Sequence, residues 1–165
     1  MTSAMKQYTS SRYRYPSGRI LIFARAPVPG RVKTRLAADI GARKAAEFYT
    51  NWLCETVRMC VTAELAPVQL WCAPDTRHHT FSHLHHAFGV RLVPQPEGDL
   101  GMRMQAAFQE ALRQSEFALL IGTDCPVMNA DYLESAFVAL HAGEELVVGP
   151  AEDGGYVLLA ARKIS

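Results

Sequence analysis

The sequence predicts an α/β fold: a largely parallel sheet with helices on both faces. Two observations carry this. Short apolar runs alternate with segments of helical periodicity along the whole chain, the pattern of strand–helix–strand units. The three loops of unusual composition each directly follow an apolar run, as ligand loops do beyond the carboxyl ends of parallel strands.

Taken in order, "RILIFA" (Arg19–Ala24) reads as a buried strand. The loop "RAPVPGRVKTRL" follows, and a helix begins near Lys33 and runs to Ala38 before Gly41 interrupts it. Ala42 to Val61 has helical spacing, with Ala45, Phe48, Trp52 and Met59 expected on one inward face. "VQLWC" (Val68–Cys72) is a second strand, Thr76–Phe88 a helix and Val90–Val93 a third strand. Asp99 is placed to cap a helix over Leu100–Gln114. "FALLI" (Phe117–Ile121) is the most apolar strand, and Asn129 can cap a helix from Ala130 to His141. Leu146–Val148 and Tyr156–Ala160 complete the strands.

With 165 residues, 49% hydrophobic and 20% charged, the chain suits one domain with a real core, expected over residues 18–165. Residues 1–17 are polar and aperiodic and read as a disordered leader, with no apolar stretch of the secretory kind. No run is long enough to span a bilayer. None of Cys54, Cys60, Cys72 and Cys125 forms a C-x-x-C pair, so the thiols are expected to be reduced, mostly buried, and cytoplasmic. Residues 1–58 hold 11 Lys/Arg against 3 Asp/Glu, whereas residues 59–165 hold 6 against 13. A basic half and an acidic half suit an anionic ligand held on one side and a metal on the other, although a basic tail on an ordinary surface gives the same count. A net charge of +1 argues against nucleic acid as a partner.

The basic loop carries Arg25, Arg31, Lys33 and Arg35 at a strand-to-helix junction, where cations and free N–H groups suit a diphosphate. Pro27 and Pro29 stiffen it and Gly30 lets backbone approach a ligand. It is not a Walker A loop, because Arg31 and Val32 separate Gly30 from Lys33 and Thr34. Asp124 in "IGTDCP" lies just past a strand, in reach of a hard cation, Mg²⁺ or Mn²⁺, shared with nucleotide phosphates. Asp153 in "AEDGG" could supply a second carboxylate, with Gly154 and Gly155 leaving room for a sugar or nucleotide. The competing readings are a cap or turn for Asp124 and a hairpin turn for Asp153. In "EGDLGMRM", Asp99 reads first as an N-cap, Gly98 and Gly101 allow close packing of base or ribose, and Arg103 adds a cation. The histidines at 78, 79, 83, 85 and 86 lack the cysteines or acids of a zinc site and read as a solvated helix face. No serine sits in a G-x-S-x-G context.

Four stretches together, "FARAPVPGRVKTRL", "GDLGMRM", "IGTDCP" and "VVGPAEDGGYVLL", resemble a bacterial family of GT-A-like nucleotide-diphospho-sugar transferases, some grouped as arsenosugar-type glycosyltransferases. The likeness covers about residues 19–160, and the molybdenum-cofactor and phospholactate guanylyltransferases are more distantly similar. It implies a Rossmann-like three-layer α/β/α fold and a metal-assisted nucleotide site. The family's "TDCP" aspartate falls on Asp124, its "DGGY" on Asp153 to Tyr156, and its basic loop on Arg25 to Arg35. Lys33, Asp124 and Asp153 are then the expected catalytic groups. The expected reaction is transfer of a sugar from a nucleotide-diphosphosugar to an unassigned acceptor. Nucleotidyl transfer and non-catalytic nucleotide binding are the alternatives. Family members continue past the "DGGY" strand, so the chain reads as shortened on its acceptor side. A homodimer is compatible with the sequence, which does not fix the oligomeric state.

Overall fold

The apolar run near the amino terminus becomes the strand on which the sheet is built. The computed structural model describes residues 12–123 and 128–163. That strand, β1 (Gly18–Arg25), is followed by α1 (Thr34–Ile40), α2 (Ala42–Thr62), β2 (Val68–Ala73), α3 (His79–Phe88) and β3 (Arg91–Pro94). Then come α4 (Leu100–Gln114), β4 (Phe117–Ile121), α5 (Ala130–His141), β5 (Leu146–Pro150) and β6 (Tyr156–Arg162). The six strands lie in the order β3-β2-β1-β4-β6-β5. β3, β2, β1 and β4 pair in parallel, whereas β6 runs antiparallel to both β4 and β5.

Strand alternation divides the core into two layers. Ile20 and Ile22 of β1 pack with Leu53, Phe81, Leu84 and Phe137, so α2, α3 and α5 cover one face. Leu21 and Phe23 pack with Trp71, Met104, Ala107 and Ala111, so α4 covers the other. The expected three-layer arrangement is therefore present. Asp99 and Asn129 accept the backbone N–H of Met102 and Tyr132, both at 2.9 Å, and start α4 and α5 at the expected residues.

Two expectations about helices need correction. The buried stripe of α2 is Ala45, Ala46, Tyr49, Leu53, Val57 and Cys60. Of the expected face, Ala45 belongs to this stripe and Met59 packs half-buried against the same core. Phe48 is 48% exposed and stacks on half-buried Trp52 at 6.0 Å, a partnership on the helix's outer side. The large aromatics misled because alanine and tyrosine, not phenylalanine, fit against β1. The helix expected from Thr76 begins at His79, because Asp75 turns back on Arg77, accepting its backbone N–H at 2.9 Å. Within the stretch expected to be a leader, Arg14 and Tyr15 donate backbone N–H groups to Glu64 and Leu65, and Tyr15 stacks on Phe137 at 5.1 Å. The chain is thus anchored from Arg14 onward, while residues 1–11 lie outside the described residues. Among the described residues no helix is long and apolar enough to cross a membrane.

His78 caps α3 through Nδ1, which accepts the N–H of Thr80 at 3.1 Å. The other four histidines of the cluster are exposed, and His85 Nδ1 meets the Val90 carbonyl at 2.8 Å. Desolvation first, and then His79, holds the His78 pKa below the ordinary 6.5. The cap needs the neutral ring. Its stabilisation is therefore complete above the unfolded-state pKa and is lost as pH falls through the lower folded value. His78→Asn caps without titrating. The expected result is that wild type loses more melting temperature than this variant between pH 7 and pH 5. Parallel curves would show that the cap does not respond to protonation.

Candidate active site at the carboxyl edge of the sheet

β1, β3 and β4 end at one edge of the sheet, and the loops that follow them help enclose a cleft of about 520 Å³. Arg25, Arg31, Lys33 and Arg103 line it, with Tyr49, Gln95 and Thr123 behind them. A second cleft of about 390 Å³ opens between α4 and the β5–β6 hairpin, lined by Met104, Asp153, Gly155 and Tyr156. The two share Phe23, Leu100 and Gly122. A third, of about 490 Å³ beside Pro74, shares Arg25, Arg31 and Arg103 with the first. The site is thus one trough, cationic at one end, with a carboxylate and an aromatic ring at the other.

The basic loop owes its shape to a few local bonds. Val28 donates to the Ala26 carbonyl at 2.7 Å and Arg31 to the Val28 carbonyl at 2.9 Å. Gly30 has φ +87°, which suits a residue without Cβ. Val32 is 4% exposed and pins the loop to the core, so Arg31 and Lys33 flank a buried anchor. Lys33 adopts φ 50°, a left-handed conformation uncommon for a residue with a side chain. Such strain concentrates at ligand sites.

Two networks fix the cleft floor. The Tyr49 hydroxyl, on the buried face of α2, accepts the Arg25 N–H at 3.0 Å and shares a 2.8 Å bond with the Thr123 hydroxyl. It ties the basic loop to the loop after β4. Removing the hydroxyl strands two buried or half-buried groups, at about 1–3 kcal/mol. Tyr49→Phe should accordingly lower the urea midpoint with an unchanged slope. An unchanged midpoint would mean that the hydroxyl is dispensable. In the second network, Gln95 Nε2 donates to the carbonyls of Ala24 at 3.2 Å and Trp71 at 2.9 Å, bridging the ends of β1 and β2. Its Oε1 accepts Arg103 Nη1 at 2.8 Å. The buried Arg103 Nε has no partner among the described residues.

Asp153 sits in the hairpin loop. Its Oδ1 accepts the Gly155 N–H at 3.0 Å, and Gly154 takes φ +91°. The turn reading of "EDGG" is therefore realised, yet the same carboxylate borders the second cleft. Gly155 lines that cleft too, whereas Gly154 does not. Asp99 is the α4 cap, Gly98, with φ +119°, lies in the turn that leads into it, and Gly101 is in the first turn of the helix. None of these three lines the trough. Arg35 is exposed on α1 and is likewise outside it. Asp124 lies outside the described residues, so its expected place beside Asp153 is not defined. Among the described residues no group of three His, Cys, Asp or Glu could hold a metal alone. Burial pushes the thiols of Cys60 and Cys72 up to about 12 and raises that of Cys54, the opposite of the lowered pKa of an activated thiolate. Cys125 is outside the described residues.

Tyr49, Gln95 and Thr123 were not expected in the site. A tyrosine on an otherwise apolar helix face is the one sequence signal among them, since a buried hydroxyl needs a partner. Gln95 and Thr123 give none.

The mixed sheet and its edge cleft define the α/β fold shared by nucleotidyltransferases and GT-A-like proteins. The chain itself belongs to the family described as "Uncharacterized protein conserved in bacteria (DUF2064)", whose model matches residues 56–165. Among solved structures it is similar to a "putative nucleotide-diphospho-sugar transferase" from Desulfovibrio desulfuricans G20. That match has 28% identity and a TM-score of 0.79, over 89% of this chain and 64% of that one. The chain therefore spans less than two thirds of that relative's length. A cytidylyltransferase from Leptospira borgpetersenii shares 14% identity with a TM-score of 0.56, over 90% of this chain and 61% of that one. A 4-diphosphocytidyl-2C-methyl-D-erythritol synthase from Anaerococcus prevotii shares 11% with a TM-score of 0.55, over 88% and 70%. At such identities these two share the fold alone. No curated protein matches the chain.

Proposed function

We propose that the chain is a metal-dependent glycosyltransferase acting on a nucleotide-diphosphosugar donor. The observation that carries this is the trough itself, with Arg25, Arg31, Lys33 and Arg103 at one end and Asp153 and Tyr156 at the other. Preorganised cations at a leaving diphosphate stabilise the charge that builds as the sugar–oxygen bond breaks. Arg103, oriented by Gln95, grips from the α4 side, and Arg31 and Lys33 from the basic loop. The sugar then lies toward Asp153, where Gly155 leaves space.

Mg²⁺ is ordinarily held by one or two carboxylates together with substrate phosphates, and Asp124 with Asp153 fit that donor set. The second oxygen of Asp153 is not used by its turn. When bound, such an ion adds charge neutralisation at the diphosphate. The likeness to the 28%-identical transferase supports the donor class. The narrower grouping with arsenosugar-type glycosyltransferases rests on the motif stretches and concerns the acceptor.

Calorimetry with a panel of nucleoside diphosphates, in Mn²⁺ and in chelator, tests the reading. Tighter binding with metal is expected, and equal binding in both would remove the metal from the proposal. Product analysis separates the alternatives. Release of nucleoside diphosphate means sugar transfer and pyrophosphate means nucleotidyl transfer. Metal-dependent binding without turnover means a binding module.

A further inference from the structure

We propose a second anion site at the opposite, amino edge of the sheet, suited to a phosphomonoester on a small apolar body. A pocket of about 330 Å³ lies there, lined by Arg12, Tyr13, Arg19, Phe88, Arg91 and Gln114 on a floor of valines and a proline. It shares no residue with the trough. Arg19 and Arg25 stand near opposite ends of β1, which at about 3.3 Å per residue separates the sites by about 20 Å.

The charge pattern sets this pocket apart. Arg14, Arg43, Arg58, Arg77 and Arg113 each lie within 4 Å of a carboxylate. Arg12, Arg19 and Arg91 have no such partner among the described residues, and no carboxylate lines their pocket. Arg19 is held in place, donating from Nη1 to the carbonyls of Pro16 at 3.2 Å and Gly18 at 2.7 Å. Arg12 rests over the Tyr13 ring at 5.3 Å. Three guanidinium groups in a small concavity repel one another until an anion arrives, and their planar forks match phosphate oxygens. A phosphomonoester carries about −1.5 to −2 charges at neutral pH, enough to answer three cations. The rings of Tyr13 and Phe88 and the aliphatic floor provide for an apolar body, and the volume limits it to a small one. The carboxyl ends of α2, α3 and α4 also face this edge and favour cations without any ligand, so the test must detect binding itself.

The probe is phenyl phosphate, compared with inorganic phosphate, titrated into the full chain by calorimetry. An Arg31→Gln/Arg103→Met background weakens the carboxyl-edge trough. Phenyl phosphate should still bind there, more tightly than inorganic phosphate. Adding Arg12→Gln and Arg91→Gln, both exposed positions, should weaken it at least tenfold with an unchanged melting temperature. Loss of binding in the Arg31→Gln/Arg103→Met background alone, indifference to the Arg12 and Arg91 changes, or no saturable binding would each overturn the proposal. Equal binding of the two probes would overturn the apolar component.

Discussion

Asp124→Asn should reduce nucleoside-diphosphate binding in Mn²⁺ to the level seen in chelator, while its melting temperature holds or rises. Asparagine keeps the shape and hydrogen-bonding capacity of aspartate and removes only the charge. Clustered carboxylates without a cation repel one another, so neutralising one can relieve the folded state. A structural cap would behave in the opposite way, since asparagine caps as well as aspartate and binding would survive. Asp153→Asn should match it if both acids serve one ion. The hydrogen bond to the Gly155 N–H survives this change, because the amide oxygen can accept it. A normal metal response in Asp153→Asn beside a silent Asp124→Asn would leave Asp153 as a turn residue alone.

Arg103→Met should separate affinity from stability. Methionine retains much of the aliphatic stem and removes both the charge and a buried Nε with no described partner. The half-buried Gln95 loses one neighbour but keeps its two backbone bonds. Folding stability should therefore stay level or improve. Hydrogen bonds to charged groups contribute about 1.5–3 kcal/mol, so nucleotide affinity should fall about 10- to 100-fold. Isothermal titration beside a thermal melt reads both quantities. Loss of stability with unchanged affinity would assign Arg103 to the scaffold.

The elements were readable from the sequence wherever burial is complete or a cap is explicit. "FALLI" is buried at every position, and Asp99 and Asn129 start their helices as expected. The phase of α2 was not, because which residues face inward depends on the sheet they meet, and alanine gives little signal beside tryptophan. The basic loop was legible as a charge cluster after a strand, and so was the shared edge of the three loops. The order of strands was not, and with it went the antiparallel setting of β6. The support behind the cleft was hidden too. Gln95 acts through backbone carbonyls of two other strands, a relation that no local pattern encodes. Gly98 and Gly101 read as room for base or ribose and Asp99 first as a cap; the cap is realised, Gly98 lies in the turn before it and Gly101 in the first turn of α4.

The position of β6 has a consequence for how the chain is made. β6 lies between β4 and β5, although it follows both in sequence. During synthesis, β1 through β4 can assemble their parallel pairs as they emerge. One side of β4, whose five residues are all buried in the finished protein, then stays open until residues 156–162 leave the ribosome. An open apolar strand is a template for intermolecular pairing, and long-range pairings form late. Nascent chains paused before Tyr156 would therefore be the aggregation-prone species and the natural clients of a chaperone.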